Sequence, residues 1–498
     1  MMQPRPDCRT TRVKIAFLLL AFAILCRFQT FGNPLIHVDE EFYLFVGGRI
    51  LQGDIPYVDI WDRKPAGLFL LYAFFHLFGP YRIWAYQIAA LLSVWRTSFL
   101  IMKMARTIAP LGGAIAAALL YICWLELSGG EGGQSPVFYN LLVATAMARV
   151  VFQVLLQPTG PAHIRRTGLE AMALFGLALQ IKYTAVFEGI FLGCFLLWYD
   201  RRIARSWLST LLDASLWIGV AILPTGLVAA LYYLEGHGQE WVFANINSIF
   251  LRSEGPNALV LNNIKHIVAV ELPLILGGIL AYFTMPKVSR YSVPVCFFEL
   301  WAASSCLGLV VFGGWYNHYA LPTFLPLALI NAPLWNRTNG RIGLVSLIVI
   351  GTIWGEKRLG DYARRHGDRH TMKEFMQVLS KPSGCVFVYE GPVAPYDRAP
   401  WCHLTTHPFP GHFHQAMEAQ ATGMNPVTEI QHVLMQKPRY IFIEKIGPDG
   451  ENTRTRSLLM EELNRNYHIV YSRRMSKKSE NALQIFGRNT MFSTRSIP

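Results

Sequence analysis

The 498-residue chain is short of charge: Asp, Glu, Lys and Arg make up 15% of it, against 52% hydrophobic residues. Soluble domains carry about a quarter charged residues, so this balance excludes an ordinary soluble protein. No Cys-x-x-Cys pair and no Cys/His spacing of the zinc type occurs, which removes a structural zinc site from consideration. There is no internal repeat and no low-complexity segment, which counts against transporters built from repeated halves. Acidic residues are the scarcer sign: 45 Lys and Arg stand against 32 Asp and Glu, a formal charge of +13. Much of that excess lies in short loops beside apolar runs, where membrane topology explains it and nucleic acid is not needed as a partner.

What the chain has instead is apolar runs of about 20 residues, long enough at ~1.5 Å per residue to cross a hydrocarbon layer of about 30 Å. In lipid only helices or closed barrels satisfy the backbone, so the expected class is a polytopic α-helical membrane protein. The first run, Val13–Phe31, follows Arg5, Arg9, Arg12 and Lys14 and has no small-residue cleavage site after it, so it reads as an uncleaved span. Further spans are expected near Ile83–Met102, Pro110–Leu127 and Val137–Leu156. The run Gly168–Trp198 is too long for one span and breaks at Gln180, Lys182 and Tyr183, which predicts two spans meeting at a polar apex. Leu208–Leu234, with Pro224 inside it, Ile264–Met285, Val293–Gly313, Gly313–Leu329 and Ile342–Trp354 complete a set of about eleven. Basic residues, among them Arg201, Arg202, Arg205, Lys287 and Arg290, place the N-terminus in the cytoplasm and the C-terminus outside.

Several polar groups inside this frame have bland readings. Arg96 is expected to face the bundle interior, and Arg149 to have a structural partner or to snorkel. The turn Gly129–Gln134 (GGEGGQ) reads as a flexible outer loop, with Glu126 and Glu131 left open. From residue 356 onward the chain turns polar, so 1–355 is expected to be the membrane domain and 356–498 a small extracytoplasmic α/β domain. Cys385–Tyr389 and Tyr440–Glu444 read as buried strands, with helices near Thr371–Leu379, Thr428–Gln436 and Ser457–Arg465. Cys385 and Cys402 can pair if that domain faces an oxidising compartment. His403, His407, His412 and His414 fit no zinc spacing and read as a surface histidine-rich loop.

The chemistry concentrates between the first two spans, in the outer loop 33–82. Asn33–Pro65 holds Asp39, Glu40, Glu41, Asp54, Asp59 and Asp62 together with Arg63 and Lys64, interleaved with aromatic residues. The run Ala66–Gly79 after it is too short to span and reads as an interfacial helix. Two patterns stand in this loop: Asp39-Glu40-x-x-Tyr43, then Gly53-x-x-Pro56-Tyr57-x-Asp59 leading into Lys64-Pro65-Ala66-Gly67. Carboxylates at a membrane boundary are costly and point to function, although Asp39 as a helix N-cap is a fair alternative on the first pattern alone.

Taken together, the two patterns resemble the first outer loop of the GT-C membrane glycosyltransferases that use polyprenyl-phosphate sugars, the protein O-mannosyltransferase and aminoarabinose-transferase superfamily and its bacterial lipopolysaccharide and exopolysaccharide branch. Lys182 and the His318-Tyr319-x-x-Pro322-x-x-x-Pro326 segment fit the same resemblance. It implies an inverting transfer from a polyprenyl-phosphate-sugar donor to a glycan or glycolipid acceptor at the outer face of a bacterial inner membrane. Asp39 is then the expected base, with Glu40 or Asp59 as substitutes, because an acceptor hydroxyl needs its proton removed. Lys64, supported by Arg63 and Lys182, is expected at the departing phosphate, where charge develops. Tyr43, Tyr57, Asp59 and His318 join the substrate-binding set. Ala66 replaces the second proline of the pattern. Arg63 stands where the aminoarabinose-transferase branch has a metal-holding Glu, so a divalent ion on Asp39 and Asp62 is left open. The alternatives from other classes are a transporter or flippase of lipid-linked glycan, or a polysaccharide ligase. Against these stand the charges gathered in one early outer loop.

Overall fold

The computed structural model describes residues 8–157, 160–202, 206–253, 255–475 and 480–489. Arg5 and Arg205, used above to orient the chain, lie outside them, as does the side chain of Arg9. Helix α1 (Cys8–Arg27) leads into α2 (Val38–Ile50) and α3 (Ala66–His76), which form a helical pair beside the bundle. The bundle continues with α4 (Arg82–Ala105), α5 (Leu111–Leu125), α6 (Ser135–Val150), α7 (Pro161–Leu179), α8 (Val186–Arg201) and α9 (Trp207–Leu234). Two short helices, α10 (Gly238–Val242) and α11 (Ser248–Phe250), cross the outer side. Then come α12 (Asn257–Thr284), the short α13 (Lys287–Arg290), α14 (Val293–Phe312), the eight-residue α15 (Phe324–Asn331) and α16 (Thr338–His366).

Among the described residues, seven helical segments, those of α1, α4, α5, α6, α9, α12 and α14, are long and apolar enough to cross a membrane. Helix α9 makes the environment plain. Its 28 residues extend ~42 Å, yet only 6% of its most apolar window is buried within the protein. Leu208, Leu211, Ile222, Leu227 and Leu231 all lie exposed along it, which water would not tolerate and lipid does. This is a multi-pass membrane protein. The break expected at Gln180–Tyr183 falls between α7 and α8, with Lys182 in an extended conformation at the turn. Helix α15 is buried throughout, and at eight residues it covers only ~12 Å.

Three expectations need correction. Arg96 is exposed and lies over the Phe99 ring at 5.7 Å, so its charge goes outward along the surface of α4. Gly129–Gln134 is a buried turn, because the absence of side chains lets it press against the loop carboxylates: Gly132 leaves no room beside Glu40. Its carbonyls are used as well, Gly132 O accepting from Arg27 at 2.6 Å and Gly133 O from Tyr72 Oη at 2.7 Å. His407, His412 and His414 are buried, not on the surface. They form part of the seam where the C-terminal segment covers Trp61, whose ring lies 5.1 Å from His407 and 4.9 Å from His412.

Helix α16 runs unbroken across residue 355 and delivers the chain into a four-stranded sheet with strand order β1-β2-β4-β3. β1 (Val386–Val388) pairs parallel with β2 (Tyr440–Glu444), and β2 pairs antiparallel with β4 (Ala482–Arg488), which pairs antiparallel with β3 (Tyr467–Arg474). Alternation decides the layers. Val386, Val388 and Phe442 face α17 (Arg369–Leu379) and join the core of the membrane domain, whereas Phe387, Ile441 and Ile443 pack under α19 (Pro426–Met435) and α20 (Thr453–Asn466). The turn α18 (Gly411–His414) carries two of the buried histidines, His412 and His414. Cys385 and Cys402 form a disulfide across 17 residues at the edge of this domain.

The α2–α3 pair depends on Gly47, where a methyl group would sit 2.5 Å from the backbone nitrogen of Ala73. Gly47→Ala is expected to force the two helices apart, at about 1–3 kcal/mol, and to lower the melting temperature in detergent despite the ~1 kcal/mol helix-propensity gain. Gly219→Ala on α9, where the added carbon meets nothing within 4 Å, is expected to leave it unchanged or raise it.

Candidate active site

The loop 33–65 folds back on α2 and α3 to wall a cavity of about 330 Å³. Asp39, Asp62, Arg63, Lys64, Lys182 and His318 all line it, together with His37 and Gln134. Asp39 is in the first turn of α2, where the helix N-terminus favours a carboxylate. Its Oδ2 accepts from Gln134 Nε2 at 3.0 Å. Lys64 comes from the turn before α3, with Pro65 capping that helix. Its ammonium lies 3.3 Å from Asp62 Oδ1 and sits over the rings of Tyr43 at 5.7 Å and Phe409 at 5.8 Å.

Behind this front the other candidates act as supports. Tyr43 is buried below Lys64, edge-on to Tyr72. Tyr57 is a buried non-glycine residue at φ +70°. Its hydroxyl donates to Lys64 O at 2.8 Å and its N–H to Ile60 O at 2.7 Å, which explains why the strained backbone persists. Asp59 accepts from Ile55 N at 2.7 Å within the turn. Glu40 points into the protein beside His37 and the Gly132–Gly133 turn. Neither Asp59 nor Glu40 is among the residues lining the cavity. Lys182 lies 4.4 Å above the Tyr319 ring, and His318 stacks beside Tyr316.

Electrostatics separate these groups. Burial pushes the Asp39 carboxyl up, but the Lys64 ammonium and the Gln134 hydrogen bond outweigh it and bring the pKa down to about 2. Burial works against the charge of Lys64, yet Asp62 and Asp39 hold its pKa above the usual value. At Lys182 burial, then the like charge of Lys64, outweigh the attraction of Asp39 and bring it down to about 7. Burial and the charge of Lys182 leave His318 neutral. At His37 burial is overcome by Glu131, 2.9 Å away, which raises the imidazole to about 9. The cavity therefore holds a firm carboxylate, a firm ammonium and a second ammonium that titrates near neutrality.

Asp39 and Asp62 do not fit a divalent ion. Asp62 is taken up by Lys64 and by the Arg63 N–H at 2.5 Å, and among the described residues no three His, Cys, Asp or Glu side chains converge on a metal position. No step is derived through an ion. Sequence reasoning missed His37, Gln134, Arg252 and Glu418. Arg252 and Glu418 come from segments far along the chain and meet Arg63 at the cavity wall.

No family model matches the sequence, and no curated protein matches it. Solved structures do match, and what they show is the fold: the chain has a GT-C-like fold. It is similar to ArnT from Cupriavidus metallidurans in the apo state, at TM-score 0.61 and 15% identity, covering 95% of this chain and 98% of that one. The same protein bound to undecaprenyl phosphate gives TM-score 0.61 at 14% identity, covering 96% and 98%. The arabinofuranosyltransferase AftD from Mycobacteria gives TM-score 0.53 at 13% identity, covering 97% of this chain and 40% of that one.

The His37–Glu131 pair sets a pH window. A histidine raised to about 9 from about 6.5 unfolded stabilises the fold fully below about pH 6.5 and loses that contribution as pH rises through about 9. The melting-temperature advantage of the natural chain over Glu131→Gln in detergent is expected to be largest below about pH 6.5 and to shrink across that window, a comparison that cancels Lys182, whose lowered pKa acts in the opposite direction.

Proposed function

We propose that this chain is a glycosyltransferase that moves a sugar from a polyprenyl-phosphate donor to a lipid-linked glycan, lipopolysaccharide or exopolysaccharide acceptor. The observation that carries this reading is the pairing of Asp39 and Lys64 on one cavity wall, at the end of helices built to lie in lipid. The fold neighbour from Cupriavidus metallidurans binds undecaprenyl phosphate, and the same ligand chemistry suits a lysine-lined cavity here. The working membrane is a bacterial inner membrane, with the N-terminus cytoplasmic and the 356–498 domain periplasmic. The Cys385–Cys402 disulfide supports that side, since disulfides persist in oxidising compartments.

The reaction is a single displacement with inversion. The acceptor oxygen attacks the anomeric carbon of the donor sugar and its proton goes to Asp39. The bond from that carbon to the phosphate oxygen breaks, and polyprenyl phosphate leaves with the electron pair. The leaving group gains negative charge, which Lys64 and Lys182 are placed to match. A carboxylate held at about 2 is a weak base. Once the donor phosphate engages Lys64, that hold on Asp39 relaxes and its basicity rises, so base activation follows donor binding. Tyr43 and Tyr57 keep Lys64 in place, and His318, neutral, offers a hydrogen bond to sugar or phosphate. Arg63 is engaged by Glu418.

Asp39→Asn is expected to lower sugar transfer by about 10²–10⁴-fold while polyprenyl-phosphate binding and melting temperature hold; transfer near the original rate contradicts the reading. Lys182 gives a pH test. Affinity for polyprenyl phosphate is expected to weaken as pH rises above about 7, and Lys182→Arg, charged throughout, is expected to remove that dependence in a titration followed by tryptophan fluorescence.

A further inference from the structure

The cavity wall holds a second cationic device, separate from Lys64 and Lys182. Arg63, from the first outer loop, and Arg252, from the segment after α11, both line the cavity and converge on one carboxylate. Between them sits Glu418, the last residue of a short turn in the C-terminal domain. Arg63 donates to Glu418 through Nη1 at 3.3 Å and through Nη2. Arg252 Nε lies 2.8 Å from Glu418 Oε1, and its Nη2 donates to Tyr316 Oη at 2.7 Å. Ser253 joins the same turn, its N–H and hydroxyl both donating to Met417 O, at 3.3 and 3.2 Å.

Glu418 does not saturate this pair. The Nε–H groups of Arg63 and Arg252 are both buried, and neither has a well-aligned acceptor. Two guanidinium forks present ten N–H donors, while a carboxylate in this position brings two oxygens. A tetrahedral phosphate brings more acceptors in a geometry that suits arginine forks. Leaving buried donors unpaired is costly, so the arrangement favours a better anion than the one built in.

We infer that Arg63 and Arg252 form a phosphate subsite of the lipid-linked substrate, and that Glu418 is an internal anion that fills it until substrate arrives. Phosphate entering the subsite takes over the two guanidiniums and expels Glu418. Expulsion breaks the ion pairs that tie the C-terminal domain to the membrane domain at this edge of the cavity and leaves the Ser253–Met417 hydrogen bonds in place, so occupancy of the site and seating of the domain are coupled. The inference rests on reading the cavity as a phosphate-lipid site, but it needs no sugar transfer to be tested.

The test is binding by full-length protein in detergent, with inorganic phosphate, polyprenyl phosphate and a phosphorylated disaccharide glycolipid as three separate probes. A latch closed nine times in ten weakens apparent affinity about tenfold, so Glu418→Gln is expected to bind phosphate about tenfold more tightly than the natural chain. Adding Arg252→Gln is expected to cancel the gain. A gain for polyprenyl phosphate but not for the glycolipid assigns the subsite to the donor; the reverse assigns it to the acceptor. Unchanged or weaker binding of all three probes by a folded Glu418→Gln protein overturns the inference. If that variant does not fold, Glu418→Asp, whose carboxylate is withdrawn by one methylene, is expected to show a smaller gain, and no gain overturns it equally. Loss of sugar transfer in Glu418→Gln with tighter phosphate binding leaves the subsite standing; transfer absent from the natural chain itself counts against the proposed function alone.

Discussion

Charge taken out of water has to be matched by charge or hydrogen bonds, and this constraint organises the outer half of the molecule. Asp62, Arg63 and Lys64 are consecutive, yet each finds its partner from a different direction. Lys64 turns toward Asp62 and Asp39, Arg63 turns toward Glu418, and the Asp62 oxygen also accepts the Arg63 backbone N–H. The same rule holds further in, where Arg27 lies 3.5 Å from Glu126 with both side chains buried. It holds at the seam as well, where Asp397 accepts from Arg82 at 2.7 Å and meets His76 at 2.9 Å. Such pairs contribute little net stability but are costly to break singly, because a lone buried charge remains. Their value here is positional: they fix which side chains face the cavity.

The C-terminal domain is part of this arrangement and more than an appendage. It closes over the loop through Trp61, whose backbone N–H donates to Thr406 O at 2.7 Å and whose ring meets the buried His407 and His412. It reaches α2 through Glu41, which accepts from the N–H groups of Val393 and Ala394 at 2.7 and 2.9 Å. One face of its sheet shares a core with the membrane domain. The cavity-lining loop thus lies between a lipid-embedded bundle and a folded cover, which limits water around the charges and strengthens their interactions.

Much of this was legible because the signals were local. Apolar runs marked α1, α4, α5, α6, α9, α12 and α14, the break at Lys182 marked the α7–α8 turn, and CVFVY and YIFIE marked β1 and β2. β3 and β4 were missed: in Tyr467–Arg474 the apolar run is only Ile469–Tyr471 between polar residues, and in Ala482–Arg488 it is interrupted by Gln484 and Gly487. The Gly129–Gln134 turn was misread because glycine signals both freedom and close approach, and only neighbours decide between them. In the site, Asp39, Lys64, Lys182 and His318 stood out as charges or aromatics in odd places. Arg252 and Glu418 did not, since their significance lies in meeting Arg63 across 189 and 355 positions of sequence, and pairing at that range leaves no local trace.

The claim that everything else serves is that this cavity transfers a sugar from a lipid phosphate. Its most direct measurement is mass spectrometry of the polyprenyl-phosphate sugars, glycolipids and polysaccharide of the source cell with and without this protein. The account predicts that one sugar residue disappears from the glycan while its polyprenyl-phosphate form accumulates. Glycans of unchanged composition, with lipid-linked intermediates stranded on the cytoplasmic side, would instead mark a flippase and contradict it.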